Sequence, residues 1–125
     1  MDERFGKQDK LKSEKLIEKL FIEGKSVKKF PLKLVYLPIN VSEGPLLKTG
    51  ISVPKKLVKT AVRRNRIKRL MREAFRKNKY LVTNNIPGSY AFMIIYISRD
   101  KADYDSLNRT MIKLLQNFID REKQE

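Results

Sequence analysis

Apolar side chains recur at helical spacing near the start of the chain and predict a first helix over residues 13–23. Ser13 is expected to cap this helix, because its oxygen can accept a hydrogen bond from the first turn, and Gly24 is expected to end it. The stripe predicts that one face of the helix packs on a sheet. Its members are Leu16, Ile17, Leu20 and Phe21.

Two segments with alternating apolar residues follow and predict two strands, over residues 29–37 and 46–53. Pro31 lies near the start of the first strand and indicates an edge position or the beginning of a strand. Antiparallel pairing is the simplest connection between the two strands. The residues expected to share a face are Phe30, Leu32, Leu34 and Tyr36 in the first strand, and Leu47, Thr49, Ile51 and Val53 in the second.

The next apolar pattern predicts the main helix over residues 60–77, preceded by a turn over residues 55–59. Pro54 ends the second strand, and Thr60 is the expected N-cap of the helix. The face expected to pack on the sheet carries Ile67, Leu70, Met71 and Ala74.

The last third of the chain predicts a strand and a helix. Residues 90–97 are continuously apolar, which is typical of a central strand that is buried on both faces. Asp103 is expected to cap a final helix that reaches about Arg121. The order α-β-β-α-β-α predicts an α+β fold, a single-domain sandwich with a small central sheet in which the strands at 46–53 and 90–97 can run parallel.

Residues 1–10 are polar and are expected to form a flexible N-terminal segment, and residues 11–125 are expected to form one domain. The N-terminus lacks the apolar core of a signal peptide. The longest apolar run, residues 90–97, is shorter than the roughly 20 residues of a membrane span. We therefore expect a soluble cytoplasmic protein with no membrane partner.

The composition is strongly basic, since 29 Lys and Arg oppose 14 Asp and Glu and give a net charge of +15. Such a charge favours an anionic partner. The chain has no Cys and no His, which excludes thiol chemistry, Cys-based metal sites and the commonest general base. We therefore expect no catalytic residue and no metal site in the protein, although carboxylates are able to hold Mg²⁺.

Positive charge is concentrated in residues 55–79, which contain twelve Lys or Arg and one acid, Glu73. Three arginines, Arg63, Arg64 and Arg66, lie in the first turns of the main helix, where the helix dipole is also positive. A bound anion would relieve this repulsion, so the segment favours a nucleic acid as partner. A stripe opposite the apolar face consists of Asn65, Arg69, Arg72 and Arg76.

Two other interpretations of this segment stay open. A charge run is often only the solvated face of a helix, and a basic amphipathic helix can also lie on a membrane surface. The membrane interpretation is weaker, because the apolar face is needed by the core and carries no Trp. Composition alone does not distinguish RNA from DNA.

A longer pattern makes that distinction. Residues 55–69 read Lys-Lys-x4-Ala-Val-x-Arg-Asn-Arg-Ile-Lys-Arg, and they follow Thr-Gly-Ile-Ser-Val at residues 49–53. This pattern resembles the signature of the protein subunit of bacterial ribonuclease P. A thinner, collinear resemblance extends over most of residues 11–120. It implies the same α-β-β-α-β-α order, with a left-handed strand–helix–strand crossover over residues 46–97, against the usual rule.

The resemblance also implies a function. Bacterial ribonuclease P removes the 5′ leader from precursor tRNA, and its catalyst is an RNA that uses Mg²⁺, so the expected partners are that RNA and precursor tRNA, with no protein partner inferred. The residues implied to contact or adjoin the catalytic RNA are Lys55, Lys56, Arg63, Arg64, Asn65, Arg66, Lys68, Arg69 and Arg72. The residues implied to line a cleft for the single-stranded leader are Phe21, Tyr36 and Ile17, the last at a position where the family commonly has an aromatic residue.

Two competing functions were weighed against this one. A general RNA-binding or ribosome-assembly protein could carry a similar basic helix. A metal-dependent nuclease that acts without RNA would need clustered carboxylates, and the closest set in the sequence is Asp100, Asp103 and Asp105. We interpret these three residues as part of a loop and a helix cap.

Overall fold

The computed structural model of the chain describes Leu11 and residues 13–40 and 47–124; the flexible segment predicted at residues 1–10 lies outside the described residues. Four helices and four strands occur in this part of the chain. The helices are α1 (Glu14–Glu23), α2 (Ala61–Asn78), α3 (Tyr80–Asn85) and α4 (Tyr104–Gln124). The strands are β1 (Lys25–Lys29), β2 (Leu32–Ile39), β3 (Leu47–Ser52) and β4 (Ser89–Tyr96).

The four strands form one sheet in the order β1-β2-β4-β3. Strand β4 is central, antiparallel to β2 and parallel to β3, which confirms the predicted central strand and the parallel pair around α2. The predicted direct pairing of β2 with β3 is wrong, because β4 lies between them. The sequence of β4 is continuously apolar, so both of its faces are buried when it occupies the centre of the sheet. The mixed α+β architecture is confirmed, and the handedness of the crossover stays a prediction.

The strand predicted at residues 29–37 is in fact parts of two strands. β1 and β2 form an antiparallel pair around a turn at Phe30 and Pro31, whose peptide bond is cis. Phe30 is therefore 63% exposed in the turn and does not share the inner face of β2. The sequence did not predict β1, because Lys-Ser-Val-Lys-Lys has no apolar alternation and only Val27 is partly buried. The short helix α3 was not predicted either, because its six residues give no periodic signal.

The two faces of the sheet are covered by different helices. Because successive side chains of a strand point to opposite faces, Leu34 and Phe92 join the main core with α2 and α4, whereas Val35 and Met93 pack in a smaller cluster with Leu20 of α1. The larger core therefore lies under α2 and fixes the orientation of that helix.

Two of the three predicted N-caps, those of α1 and α4, form side-chain hydrogen bonds. The backbone N–H of Leu16 donates to Ser13 Oγ over 3.3 Å at α1, and that of Ser106 donates to Asp103 Oδ1 over 2.9 Å at α4. In the described part of the chain, no helix has both the length and the apolar character needed to cross a membrane.

Candidate nucleic-acid interface

Helix α2 divides into an apolar face and a cationic face, as predicted. Ile67, Met71 and Ala74 are buried against the sheet, and Leu70 is partly buried at the margin. The predicted contact residues that are exposed on α2 and its preceding turn are Lys55, Lys56, Arg63, Asn65, Arg66, Arg69 and Arg72; Arg64 and Lys68 are half-buried. The structure therefore brings the whole predicted set onto one helix and one turn.

Arg64 has a second role that its sequence position did not reveal. One guanidinium nitrogen of Arg64 donates to the carbonyl oxygens of Val58 and Lys59, over 3.1 and 2.8 Å. Val58 is fully buried, so these bonds join α2 to a turn that is itself anchored in the core. Arg64 thus helps to hold Lys55 and Lys56 beside the cationic face of α2.

The first turn of α2 contains no side chain that offsets the positive potential of the helix N-terminus. Thr60 occupies the N-cap, as predicted, but its hydroxyl makes no capping hydrogen bond, and the first turn contains no acid. Unpaired backbone N–H groups and the helix dipole both favour an anion at this position. The exposed Arg63 adds a cation there, and its guanidinium donates to the carbonyl of Arg99 over 3.3 Å.

Arg99 is a candidate site residue that the sequence analysis did not include. It is exposed in the loop after β4, and its link to Arg63 brings it to the N-terminal end of α2. Its position directly after the central strand was visible in the sequence. The predicted parallel pairing of β3 and β4 was the signal that could have placed it, because parallel strands end at the same edge of a sheet.

The single acid within residues 55–79, Glu73, is paired with an arginine of the same helix. Arg76 donates two hydrogen bonds to Glu73, of 2.6 and 3.0 Å, and this pairing holds the pKa of Glu73 below its usual value. Within the described residues, Arg66, Arg69 and Arg72 make no hydrogen bond or ion pair of their own, so their guanidinium groups are available for a partner.

A second surface lies on the α1 side of the sheet. The strand register places four side chains in one row across all four strands, and none of them is fully buried. The row consists of Lys28, Lys33, Ile95 and Ser52. It lies beside the Val35–Met93 pair that α1 covers, and we call this partly exposed row the strip beside α1.

Two of the predicted cleft residues lie along this strip. Leu16 and Lys19 border a pocket with Ile39 on one side of α1, so helical geometry directs Ile17 and Phe21 to the other side, toward the strip. Ile17 is half-buried against the α1 cluster, and the ring of Phe21 is 53% exposed. An exposed aromatic ring is suited to stack on an unpaired base, and the two lysines of the row are suited to its phosphates.

The assignment of Tyr36 to this cleft is wrong. Tyr36 is 0% exposed and packs on the opposite face of the sheet, with its ring centroid 4.7 Å from that of Phe118 in α4. Strand alternation explains the error, because the neighbouring Val35 is the residue of β2 that faces α1. Lys33 and Ile95, which the sequence analysis did not include, are the residues of β2 and β4 that lie in the row on the α1 side.

The structure also locates the carboxylates that were considered as metal ligands. The described residues include no group of three or more Asp, Glu, His or Cys side chains that could hold a metal ion. Of the acidic trio weighed above, Asp103 caps α4, which confirms its interpretation as a helix cap.

The fold and the site define a small basic α+β domain with a cationic helix face and an open strip beside a second helix. Residues 5–119 match the family model described as Ribonuclease P. The chain belongs to this family, the protein component of bacterial ribonuclease P.

Named relatives and solved structures agree with this membership. The ribonuclease P protein component of Porphyromonas gingivalis is 37% identical over 114 residues, which cover 83% of this chain and 82% of that protein. The corresponding protein of Caldanaerobacter subterraneus is 32% identical over 112 residues, 87% of this chain and 88% of that one. The Staphylococcus aureus RNase P protein structure has a TM-score of 0.69 and 24% identity, over 90% of this chain and 96% of that chain, and this likeness concerns the fold.

Arg64→Ala is predicted to lower the free energy of unfolding by about 1 kcal/mol relative to Arg66→Ala, because it removes the bonds to Val58 and Lys59. Both variants lose one positive charge near the same helix terminus, so the comparison isolates the hydrogen bonds. Urea denaturation of the free proteins measures the difference. Equal stability of the two variants would show that Arg64 does not hold the turn.

Proposed function

We propose that this chain binds the catalytic RNA of ribonuclease P through the cationic face of α2 and thereby promotes 5′ maturation of precursor tRNA. The observation that carries this proposal is the set of guanidinium groups on Arg66, Arg69 and Arg72, which are exposed on a helix whose other face is fixed in the core. Membership of the ribonuclease P family supports the identity of the RNA.

Phosphate groups are the part of the RNA that α2 is suited to bind. Arginine presents several donors in a plane that matches phosphate oxygens, and the N-terminus of α2 adds backbone N–H groups and a positive dipole. Lys55 and Lys56 extend the same surface into the turn that Arg64 holds in place. Such contacts position one molecule on another without reading a base sequence.

The strip beside α1 is the proposed site for the single-stranded leader. Phe21 can stack on an unpaired base, Ile17 and Ile95 offer apolar contact, and Lys28 and Lys33 can neutralise phosphates. Ile17 cannot stack as an aromatic residue would, so most of the stacking falls to Phe21. The strip ends at Ser52, three residues before Lys55, so the leader site adjoins the RNA interface.

We assign the cleavage chemistry, including Mg²⁺ that activates the attacking water, to the RNA partner. The role of this chain is to bind the RNA and the leader and to orient them with respect to each other. This division of labour agrees with a sequence that contains neither His nor Cys.

Reconstitution tests the proposal directly. We expect the protein to stimulate correct 5′ cleavage of precursor tRNA when it is mixed with a bacterial ribonuclease P RNA at low Mg²⁺, where phosphate repulsion is least screened. Gel analysis of the 5′ product measures the stimulation. Binding to many structured RNAs without stimulated cleavage would favour a general RNA-binding or ribosome-assembly protein, and cleavage without the RNA would favour an independent nuclease.

Phe21→Ala is predicted to weaken binding of precursor tRNA to the assembled ribonucleoprotein by about 1 kcal/mol or more, the effect of losing one stacked base. Mature tRNA lacks the leader, so its affinity should not change. Ile22→Ala is the matched control, because Ile22 is 80% exposed on the same helix and adjoins Phe21. Equal losses for precursor and mature tRNA would contradict the placement of the leader on this strip.

A further inference from the structure

A pocket of about 450 Å³ opens between α2 and the N-terminal end of α4, where the cationic face of α2 meets the next helix. Its volume lies within the range of roughly 300–1,000 Å³ in which proteins bind small ligands. The pocket is lined by Arg69, Leu70, Arg72, Glu73, Arg76 and Tyr104.

The lining combines an apolar floor with a cationic rim. Leu70 and Tyr104 are partly buried and pack against the main core, so they separate the pocket from the interior. Arg69 and Arg72 have no hydrogen bond or ion pair within the described residues, whereas Arg76 is paired with Glu73. The pocket therefore combines the unpaired guanidinium groups of two arginines with the apolar surfaces of Leu70 and Tyr104.

Tyr104 contacts Lys77 through its ring, but its hydroxyl makes no hydrogen bond within the described residues. Lys77 lies over its ring, with the ammonium nitrogen 5.8 Å from the ring centroid. Its hydroxyl is buried and has no hydrogen-bond partner among the residues that the structure describes. The ring of Tyr104, and not its buried hydroxyl, is therefore the part that a ligand in the pocket can contact.

We propose that this pocket binds one unpaired nucleotide of the RNA, with the base against Leu70 and Tyr104 and the phosphate at Arg69 and Arg72. This inference deepens the proposed function and rests on it for the identity of the RNA. A nucleotide combines a flat, largely apolar base with an anionic group, which matches the floor and the rim. A paired nucleotide is excluded from such a pocket, because only a base outside the stack exposes both of its faces.

Titration of the full-length free protein with adenosine 5′-monophosphate, followed by NMR, tests this pocket without any ribonuclease P RNA. We expect the nucleotide to shift the methyl signals of Leu70 and the ring signals of Tyr104. Ribose 5-phosphate and inorganic phosphate should shift both sets much less, because they lack the base that lies against these two side chains. Arg72→Ala should weaken nucleotide binding about tenfold or more, as expected for one lost charge-assisted hydrogen bond.

Arg109→Ala is the matched control, since Arg109 is exposed on the face of α4 that turns away from the core. It should bind the nucleotide as the unsubstituted protein does. Equal weakening by Arg72→Ala and Arg109→Ala would mean general charge attraction and would overturn the inference. Absence of shifts at Leu70 and Tyr104, or the same shifts with ribose 5-phosphate, would overturn it as well. The titration does not depend on ribonuclease P RNA, so a failed reconstitution would contradict the proposed function without contradicting nucleotide binding in this pocket.

Discussion

The burial of one face of α2 is the interaction on which the rest of this structure depends. Ile67, Met71, Ala74 and Phe75 are almost completely buried. Full burial of a large apolar side chain contributes about 1.5–3 kcal/mol, whereas a like-charge pair one turn apart on a helix surface opposes folding by about 0.2–0.5 kcal/mol. Burial therefore exceeds repulsion, and the helix can hold closely spaced cations in a fixed direction without an anion.

The sheet turns this anchored helix into part of a larger surface. Because β3 and β4 are parallel, the end of β3, the start of α2 and the loop after β4 meet at one edge, where Arg63 reaches the carbonyl of Arg99. The row that includes Ile95 and Ser52 lies near the same edge on the other face. The strip beside α1 and the cationic face of α2 are thus neighbours, which suits a protein that holds two RNA segments close together.

Much of this arrangement was predictable from the sequence, because the relevant signals are local. The periodicity around Met71 identified α2 and its buried face, and the continuous apolar run at 90–97 identified the central strand. β1 was missed because Lys-Ser-Val-Lys-Lys has no apolar alternation and is ordered by pairing with β2. Its order depends on pairing with the next strand, β2, and the residue types of Lys25–Lys29 alone do not show that pairing.

The errors at the candidate site have the same origin. Tyr36 was assigned to the cleft by position in the family resemblance, and a position in a strand does not show which helix covers its face; Tyr36 packs under α4. The bonds of Arg64 to backbone carbonyls, and the pocket that Tyr104 completes, depend on where a turn and a second helix lie in space. Residue type and spacing do not contain that information.

The salt dependence of binding to a bacterial ribonuclease P RNA tests most directly whether the cationic face of α2 binds phosphate. If Arg66 and Arg69 each meet a phosphate, the double variant Arg66→Ala/Arg69→Ala should reduce the slope of log affinity against log salt by roughly 1.4–1.8. The variant Arg109→Ala/Lys113→Ala loses the same charge from the outward face of α4 and should keep the slope of the unsubstituted protein. Equal slopes for all three proteins, or the same reduction in both variants, would contradict the account.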